Sequence, residues 1–350
     1  MSRLHEIVLP SRVVIGEGAI YSVPKLLRDL GGELSVAIVT GENTYRAGGV
    51  IVEDLIKGFS RVTVVKVKSA HVSVAEEVVN KLSSEKIDVV LGVGGGKSID
   101  VAKYVASKLE VPVVSIPLAP SHDGIASPFA SLKGTERPYS TYTKVPYAIV
   151  ADTELLSKAP KRLILSGIGD LLGKLVSVRD WKLAHKLRGE YYGEYAAQLA
   201  LLSARHVIKY HEIIARGTPE GVRILAEALI SSGVSMCIAG SSRPASGSEH
   251  LFAHALELLA PGKLLHGEAV ALGTVLMLYI YSDSSWRKVK RIMKKVGLPT
   301  TAREAGLPPE ILVKALTIAH TIRPERYTIL GERGLSEEAA VKALRETGII

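Results

Sequence analysis

Three histidines in the second half of the chain are spaced as metal ligands are. His250 and His254 are four residues apart, so they share one face of a helix that begins near Ser246–Ser248. His266 follows sixteen residues after His250, where a further helix would start. A helix pair joined at Pro261-Gly262 would bring His266 opposite His250. Two imidazoles and one carboxylate with an open position are a common catalytic zinc set, so the segment predicts a metal site.

The carboxylate that would complete this set is Asp170, in the glycine-flanked stretch SGIGDLLGK. An aspartate among apolar neighbours is hard to bury unless it is paired or bound to a metal. Three histidines on helices are also compatible with capping or core roles. The spacing alone therefore leaves a metal site and a structural cluster both open.

A second chemical feature is the glycine loop LGVGGGKSID, Leu91 to Asp100. It follows a strand-like run, Ile87 to Val93, and precedes a helix-like run through Lys108. Glycines allow backbone N–H groups to approach a phosphate, and the helix N-terminus adds partial positive charge. The loop matches neither the Walker spacing nor the GxGxxG fingerprint, so we interpret it as a pyrophosphate loop of a less common kind. The alternative is a glycine turn that only packs strand against helix.

The elements that must position these residues differ between the two halves of the chain. In the first half, apolar runs alternate with helical patterns, which predicts an open parallel sheet with ligands at the carboxyl ends of its strands. The predicted strands are Val36–Val39, Val62–Val67, Val89–Val93, Val113–Ile116 and Ala148–Val150. After Asp152 only helical patterns follow, at about 162–187, 190–215, 219–239, 247–260, 267–281, 284–296 and 335–347. We therefore expect a dinucleotide-binding α/β domain over residues 1–155 and a helical metal- and substrate-binding domain over 156–350.

Length and composition narrow the class of protein. A chain of 350 residues with 47% hydrophobic and 23% charged residues suits a two-domain globular protein. The longest apolar run, Ala269 to Tyr281, is too short to cross a bilayer, and MSRLHEIVLP lacks a signal-peptide core. With a single cysteine, Cys237, we expect a cytoplasmic protein without membrane insertion.

The net charge of +9 attracts anions without selecting one of them. No basic arm is present and aromatic residues make up 5%, which argues against a nucleic-acid partner and favours a small anionic substrate. Only two asparagines and one glutamine occur, which is typical of proteins from hot habitats but also follows from a biased genome composition.

Five motifs in sequence order resemble one family. They are GVGGGKSID, PLAPSHDGIASP, SGIGDLLGK, the segment with His250, His254 and His266, and HTIRPERYTILG. Together they are similar to the sn-glycerol-1-phosphate dehydrogenases, within the larger group of glycerol dehydrogenase and dehydroquinate synthase folds. The likeness spans roughly residues 10 to 345. GGGKSID is shared across the larger group, whereas SHDGIASP and RPERYTIL narrow it to the glycerol-1-phosphate branch.

The resemblance implies a role for each matching residue. The cofactor pyrophosphate would be held by Gly96, Lys97, Ser98, Ile99 and Asp100, and the nicotinamide half by Leu118, Ala119, Pro120, Ser121 and Ser127. Zinc would be bound by Asp170, His250 and His266, and the substrate would be contacted by Asp123, Asp170 and His254. Leu118 stands where the family usually has a hydroxyl residue, so it supplies no polar side chain to the cofactor.

The resemblance also implies an activity. The enzyme would reduce dihydroxyacetone phosphate to sn-glycerol 1-phosphate, the glycerol backbone of archaeal ether phospholipids, with zinc acting as a Lewis acid. His254 or Asp123 would relay the proton. Both NAD and NADP are expected as cofactors, because Gly41 follows Thr40 where an NAD-specific fold places a carboxylate, although Glu42 is near. We further expect a homo-oligomer.

Three other functions remain as alternatives. A dehydroquinate synthase-like lyase calls for several basic residues near the metal, but the stretch from His250 to His266 offers only Lys263. A dehydrogenase acting on unphosphorylated glycerol would differ in its substrate preference. A nucleotide-binding module with an incidental histidine cluster would hold no stoichiometric zinc.

Overall fold

A computed structural model describes residues 4–134 and 140–350. Eight strands lie in this part of the chain: β1 (Arg12–Gly16), β2 (Ser35–Thr40), β3 (Arg61–Lys66), β4 (Val89–Gly94), β5 (Val113–Pro117), β6 (Phe129–Ser131), β7 (Ser140–Tyr142) and β8 (Ala148–Asp152). Six of them form one sheet in the order β1-β8-β5-β4-β2-β3, with every neighbouring pair parallel. Strands β6 and β7 form a separate antiparallel pair.

The central strands are buried on both faces, which explains their unbroken apolar sequences. Along β2, Val36 and Ile38 belong to the core on one face of the sheet, whereas Ala37 and Val39 belong to the core on the other. This alternation is the two-residue period of a strand. All five predicted strands are therefore confirmed, and with them the parallel-sheet fold class.

Helices cover both faces of the sheet and make up the second half of the chain. Those of the first half are α1 (Val23–Leu30), α2 (Glu42–Thr44), α3 (Val50–Ile56), α4 (Val72–Ser83) and α5 (Gly96–Lys108). Those of the second half are α6 (Thr153–Ser157), α7 (Lys161–Leu172), α8 (Lys174–Arg188), α9 (Glu194–Ala215), α10 (Pro219–Ala239), α11 (Ser248–Leu259), α12 (His266–Ile280), α13 (Trp286–Val296), α14 (Ala302–Ala305), α15 (Pro309–Ile322) and α16 (Glu337–Glu346). Between residues 153 and 350, all of which are described, no strand follows β8, as the sequence predicts.

Two features of the helical half differ from the sequence prediction. The helix predicted over about 162–187 is two helices, α7 and α8, which meet at Gly173. At this point the backbone hydrogen bonds run to the residue three positions earlier instead of four: Gly173 N donates to Asp170 O, and Val176 N donates to Gly173 O. The change occurs where α12 packs against Gly173. Helix α15, which begins at Pro309, and the short helix α14 are missing from the predicted set.

The apolar core is continuous between the sheet and the helices. The largest cluster contains Ile149 of β8 and Ile99 of α5 together with residues of nearly every helix from α7 to α16. One helix, α10, is long and apolar enough to cross a membrane by length and composition, but 67% of its most apolar window is buried within the protein. In this fold it packs against α9 as a core helix.

Candidate metal and dinucleotide site

Close contact between α7 and α12 brings two of the predicted metal ligands together. A Cβ on Gly169 would lie 2.1 Å from Gly267 O, and a Cβ on Gly267 would lie 1.8 Å from Ser166 O. Only glycine permits the two backbones to approach this closely. Gly267 N also donates to Ser166 Oγ at 3.1 Å. Asp170, which follows Gly169, and His266, which precedes Gly267, are thus fixed next to each other.

The three predicted ligands form one cluster. Ligand atoms of Asp170, His250 and His266 all lie within 4.8 Å of one another. Asp170 Oδ1 is 3.5 Å from His250 Nε2 and 3.8 Å from His266 Nε2. Asp170 is fully buried, while 38% of the His266 side chain is exposed. The cluster is therefore a donor set of one carboxylate and two imidazoles that is open on the His266 side, as a catalytic zinc site requires.

Lys174, one helical turn after Asp170, ties the carboxylates of the site together. Its fully buried Nζ lies 3.0 Å from Asp170 Oδ1, 2.8 Å from Asp123 Oδ2 and 3.1 Å from Ala245 O. Burial alone would raise the pKa of Asp170, but the charge of Lys174 and the hydrogen bond with His250 hold it well below its usual range. The sequence analysis did not identify Lys174 as a site residue. Its spacing of four residues from Asp170, which puts both on one helix face, was a usable signal.

Asp123 is held against the metal ligands by backbone and side chain. Asp123 N donates to Asp170 Oδ2 at 2.9 Å, so Asp170 Oδ1 is left facing the two imidazoles. Asp123 Oδ2 accepts a hydrogen bond from Ser232 Oγ at 2.7 Å in addition to its contact with Lys174. Asp123 therefore lies beside Asp170. Contact of both carboxylates with one substrate molecule would require this arrangement.

His250 is oriented by the residue before it. His250 Nδ1 is 2.6 Å from Glu249 Oε1, which also accepts a hydrogen bond from Gly247 N at 2.8 Å. Burial lowers the pKa of His250, but the hydrogen bonds with Asp170 and Glu249 outweigh it and the pKa is raised. A proton on Nδ1 leaves the Nε2 lone pair directed at the cluster, as in many sites where a carboxylate supports a metal-bound histidine. Sequence reasoning missed Glu249, which is fully buried.

His254 lies beside the cluster rather than in it. Its ring centroid is 6.4 Å from that of His250 and 6.1 Å from that of His266. Burial and the charges of His266 and His250 lower its pKa well below the usual value, and the charges of Arg323 and Arg326 act in the same direction. A neutral imidazole therefore borders the metal cluster at this point.

The glycine loop forms an anion cradle at the start of α5. Gly94 has φ +147°, a conformation that side chains rarely adopt, and a Cβ there would meet Ser98 and Thr44. A Cβ on Gly95 would meet nothing within 4 Å, and α5 begins at the next residue without a side-chain cap. Uncapped helix N–H groups below open space fit a pyrophosphate. The observation therefore favours the ligand-binding interpretation of the loop over the purely structural one.

The predicted pyrophosphate residues differ in what they can offer. Lys97 is exposed and Ser98 is buried at the first turn of α5. Ile99 points into the core, and Asp100 is 2.9 Å from the fully buried Lys103 and accepts from Ser131 N. Both Ile99 and Asp100 are thus engaged inside the protein through their side chains, so their contribution to a phosphate would come from the backbone.

The predicted nicotinamide residues lie between the glycine loop and the metal cluster. Leu118 N donates to Gly94 O at 2.9 Å, and Ser121 O accepts from Ser166 Oγ at 3.2 Å. Ala119 and Pro120 are buried between them. Ser127 is buried too, and its Oγ lies 3.2 Å from Phe129 O. The Leu118 side chain packs at Gly48, where an added Cβ would be 2.8 Å away.

His122, which sequence reasoning missed, links the cofactor loop to the metal cluster. A Cβ on Gly96 would lie 2.0 Å from His122 Nε2, and the rings of His122 and His266 are 6.1 Å apart. His122 therefore lies next to both the start of α5 and the predicted metal ligands.

A parallel sheet followed by a helical domain is an architecture that this chain shares with known dehydrogenases. A family model described as iron-containing alcohol dehydrogenase matches residues 14–160, and one described as 3-dehydroquinate synthase C-terminal matches residues 249–318. Glycerol dehydrogenase from Schizosaccharomyces pombe has the same fold, with a TM-score of 0.80 and 21% identity over 99% of this chain and 91% of that one. A probable glycerol dehydrogenase from Sinorhizobium meliloti 1021 gives 0.79 and 22% over 98% of both chains.

Within this class, three curated relatives share much higher identity. Glycerol-1-phosphate dehydrogenase [NAD(P)+] from Staphylothermus marinus is 62% identical over 99% of both chains. Its counterparts from Hyperthermus butylicus and Sulfurisphaera tokodaii are 55% and 54% identical, over 99% of this chain and 99% and 98% of theirs. The chain belongs to the glycerol-1-phosphate dehydrogenase family, which confirms the resemblance carried by its motifs.

Proposed function

We propose that the protein reduces dihydroxyacetone phosphate to sn-glycerol 1-phosphate with NADH or NADPH. The observation that carries the proposal is that the uncapped start of α5 and the cluster of Asp170, His250 and His266 lie close together, with His122 next to both. The family membership of the chain supports the same substrate and cofactors. The product would supply the glycerol backbone of archaeal ether phospholipids.

A zinc ion fits the donor set of the cluster. One carboxylate oxygen and two imidazole nitrogens within 4.8 Å of one another are the ligand types zinc prefers, and the exposed side of His266 leaves room for a substrate oxygen. When bound, the ion would supply Lewis acidity toward the C2 carbonyl oxygen. Asp170, His250 and His266 are proposed as its ligands, with Glu249 holding His250 in the ligating orientation.

The other side chains of the cleft would hold the substrate and pass the proton. Asp123 Oδ2 already accepts from Ser232 and lies against Lys174, so it suits the role of a fixed acceptor for a substrate hydroxyl. His254 is part-buried, neutral and next to the cluster, so we assign it the passage of a proton from solvent to the C2 oxygen. The buried loop at 118–121 would keep water from the nicotinamide.

The proposal includes the organisation of the chain and its place in the cell. Residues 1–155 would form the dinucleotide-binding domain and residues 156–350 the metal- and substrate-binding domain, with the active cleft between them. A cytoplasmic homo-oligomer without membrane insertion or a nucleic-acid partner remains our expectation. Sedimentation of the purified protein measures the number of subunits.

The test is NAD(P)H oxidation by the purified enzyme with dihydroxyacetone phosphate, before and after treatment with a chelator. We expect activity that the chelator removes and zinc restores. In the reverse direction, sn-glycerol 1-phosphate should be oxidised and sn-glycerol 3-phosphate should not. Preference for unphosphorylated glycerol would instead identify a glycerol dehydrogenase, and a chelator-resistant protein without turnover would identify a binding module.

A further inference from the structure

Lys103 is a fully buried lysine on α5 that contacts the loop between β5 and β6. Its Nζ donates to Gly124 O at 2.8 Å and to Ser127 O at 3.4 Å, and it also donates to Phe129 O. Asp100 Oδ1, one turn earlier on α5, lies 2.9 Å from the same nitrogen. The ammonium group is therefore enclosed by three backbone carbonyl oxygens of one loop and by one carboxylate.

This contact differs in kind from the packing around it. The nearest neighbours of Lys103 on α5 are apolar core residues: Val101, Ala102, Val105 and Ala106. A buried charge is costly unless it is paired and hydrogen-bonded. An apolar side chain would fill the same volume, but it would leave the three carbonyl oxygens without this donor. Lys103 therefore fixes the loop through directed hydrogen bonds, which apolar packing does not supply.

The loop held by Lys103 carries the predicted substrate residue Asp123, directly before the first carbonyl group that the ammonium binds. Asp123 N donates to Asp170 Oδ2 at 2.9 Å. The Asp123 side chain contacts Lys174 at 2.8 Å and accepts from Ser232 at 2.7 Å. All three of these partners belong to the helical half of the chain, whereas Lys103 belongs to the sheet half. The loop is thus held from both halves at neighbouring residues.

We propose that Lys103 is a positioning residue for the reduction, because it fixes Asp123 relative to the start of α5. The proposal rests on the proposed function and deepens it, since the start of α5 is the proposed site of the dinucleotide pyrophosphate. Lys103 acts through the loop and not by contact with the substrate. Hydride transfer needs both reactants in line, and a displacement of about 1 Å can lower the rate about 100-fold.

The test is a double-mutant cycle of Lys103→Met and Asp123→Asn. Methionine keeps most of the side-chain volume and removes the ammonium group. We expect Lys103→Met to lower kcat/KM for dihydroxyacetone phosphate about 10- to 100-fold. The Kd for NADH should stay within about threefold, because the backbone at the start of α5 is unchanged. In the Asp123→Asn background the same substitution should cost less than about threefold, because the group that it displaces is already altered.

Lys108→Met is the matched control, since Lys108 lies on the same helix and is exposed. It should change neither kcat/KM nor the Kd for NADH. Losses that multiply in the double variant would overturn the proposal, because a residue with only a structural role acts independently of Asp123. If Lys103→Met does not melt cooperatively, Lys103→Arg replaces it in the cycle, since it keeps the charge but its longer side chain displaces the loop. Multiplied losses overturn the proposal in that case too.

Hydrogen exchange of the loop separates failure of this proposal from failure of the proposed function, because it needs no turnover. Amides of residues 123–131 should exchange about tenfold faster in Lys103→Met than in the wild type, while those of α16 stay unchanged. Faster exchange confined to the loop supports the positioning role even if the ketone is not reduced. Unchanged exchange in the loop overturns that role even if dihydroxyacetone phosphate is a substrate.

Discussion

Replacing Glu249 by glutamine is expected to weaken metal binding without disturbing the fold. Glu249 Oε1 accepts from His250 Nδ1 at 2.6 Å and from Gly247 N at 2.8 Å. Glutamine retains a carbonyl oxygen for both contacts, removes the negative charge and puts an NH2 group in the place of Oε2, which is buried and has no hydrogen-bond partner among the described residues. The variant therefore isolates the contribution of that charge to the donor strength and orientation of His250.

The size of the effect follows from the hydrogen bond to His250. A bond to a charged acceptor contributes about 1.5–3 kcal/mol and a neutral one about 0.5–1.5 kcal/mol. The difference of about 1–1.5 kcal/mol corresponds to a roughly tenfold loss of zinc affinity. Glu249→Ala also removes the orientation of the ring, and we expect a loss near the upper end of the range of about 10- to 100-fold for such partners.

The metal-free protein should respond in the opposite direction. Burial and the charge of Glu249 together raise the pKa of the buried Asp180 to about 6, so the two carboxylates repel each other. Removing one negative charge relieves this repulsion. The metal-free Glu249→Gln variant should therefore melt no lower than the metal-free wild type.

Competition with a chromogenic chelator at pH 8 measures the affinity, and a thermal melt of the metal-free forms measures stability. Glu257→Gln is the matched control, because Glu257 lies on the same helix but pairs with the exposed Lys133. Unchanged zinc affinity in both Glu249 variants would refute the reasoning. A loss of zinc affinity accompanied by an equal loss of stability in the metal-free protein would also refute the reasoning.

Four further expectations concern the site and the single cysteine. His266→Ala should lose zinc together with activity, whereas His254→Ala should keep zinc and lose turnover; metal analysis showing the reverse would exchange their roles. Gly95→Val should raise the apparent KM for the dinucleotide far more than that for the ketone, with an unchanged melting temperature, because no atom lies within 4 Å of its Cβ position. Unchanged dinucleotide affinity in a binding titration would make the loop structural. NADH and NADPH should give kcat/KM values within about tenfold, since Glu42 is held 3.0 Å from both Arg46 and Lys66. A thousandfold preference for NADH would show that Glu42 contacts the ribose. Burial raises the pKa of Cys237 to about 12, so iodoacetamide at pH 8 should modify it only after unfolding. Mass spectrometry that finds modified Cys237 in the native protein would contradict this expectation.

The elements that sequence analysis predicted are those with a strong local signal. The buried strands of the sheet have unbroken apolar runs, and the glycine loop sits between one of them and a helix. The positions of His250 and His266 follow from helix spacing, so their convergence on one point was predictable. In each case the pattern within a few residues determines the structure.

The missed elements depend on distant contacts. Strand β1 was not predicted, because its short sequence is half exposed and its partner is β8, far away in the chain. The break between α7 and α8 has a similar cause, since it forms where α12 crosses Gly173. Apolar periodicity continues through that glycine, so the sequence alone indicates one helix.

The missed site residues are charged groups whose burial only the fold reveals. Lys174 and Glu249 look like ordinary helix residues in the sequence, yet both are fully buried against the metal ligands. The sequence pattern identifies residues that would contact a ligand directly. The residues that hold those side chains in place are recognised only once the folded structure shows what packs against them.

The charges around the predicted metal ligands favour a divalent cation. Around the metal ligands, the carboxylates of Asp123, Asp170 and Glu249 face the single ammonium group of Lys174. The excess of two negative charges matches a divalent cation.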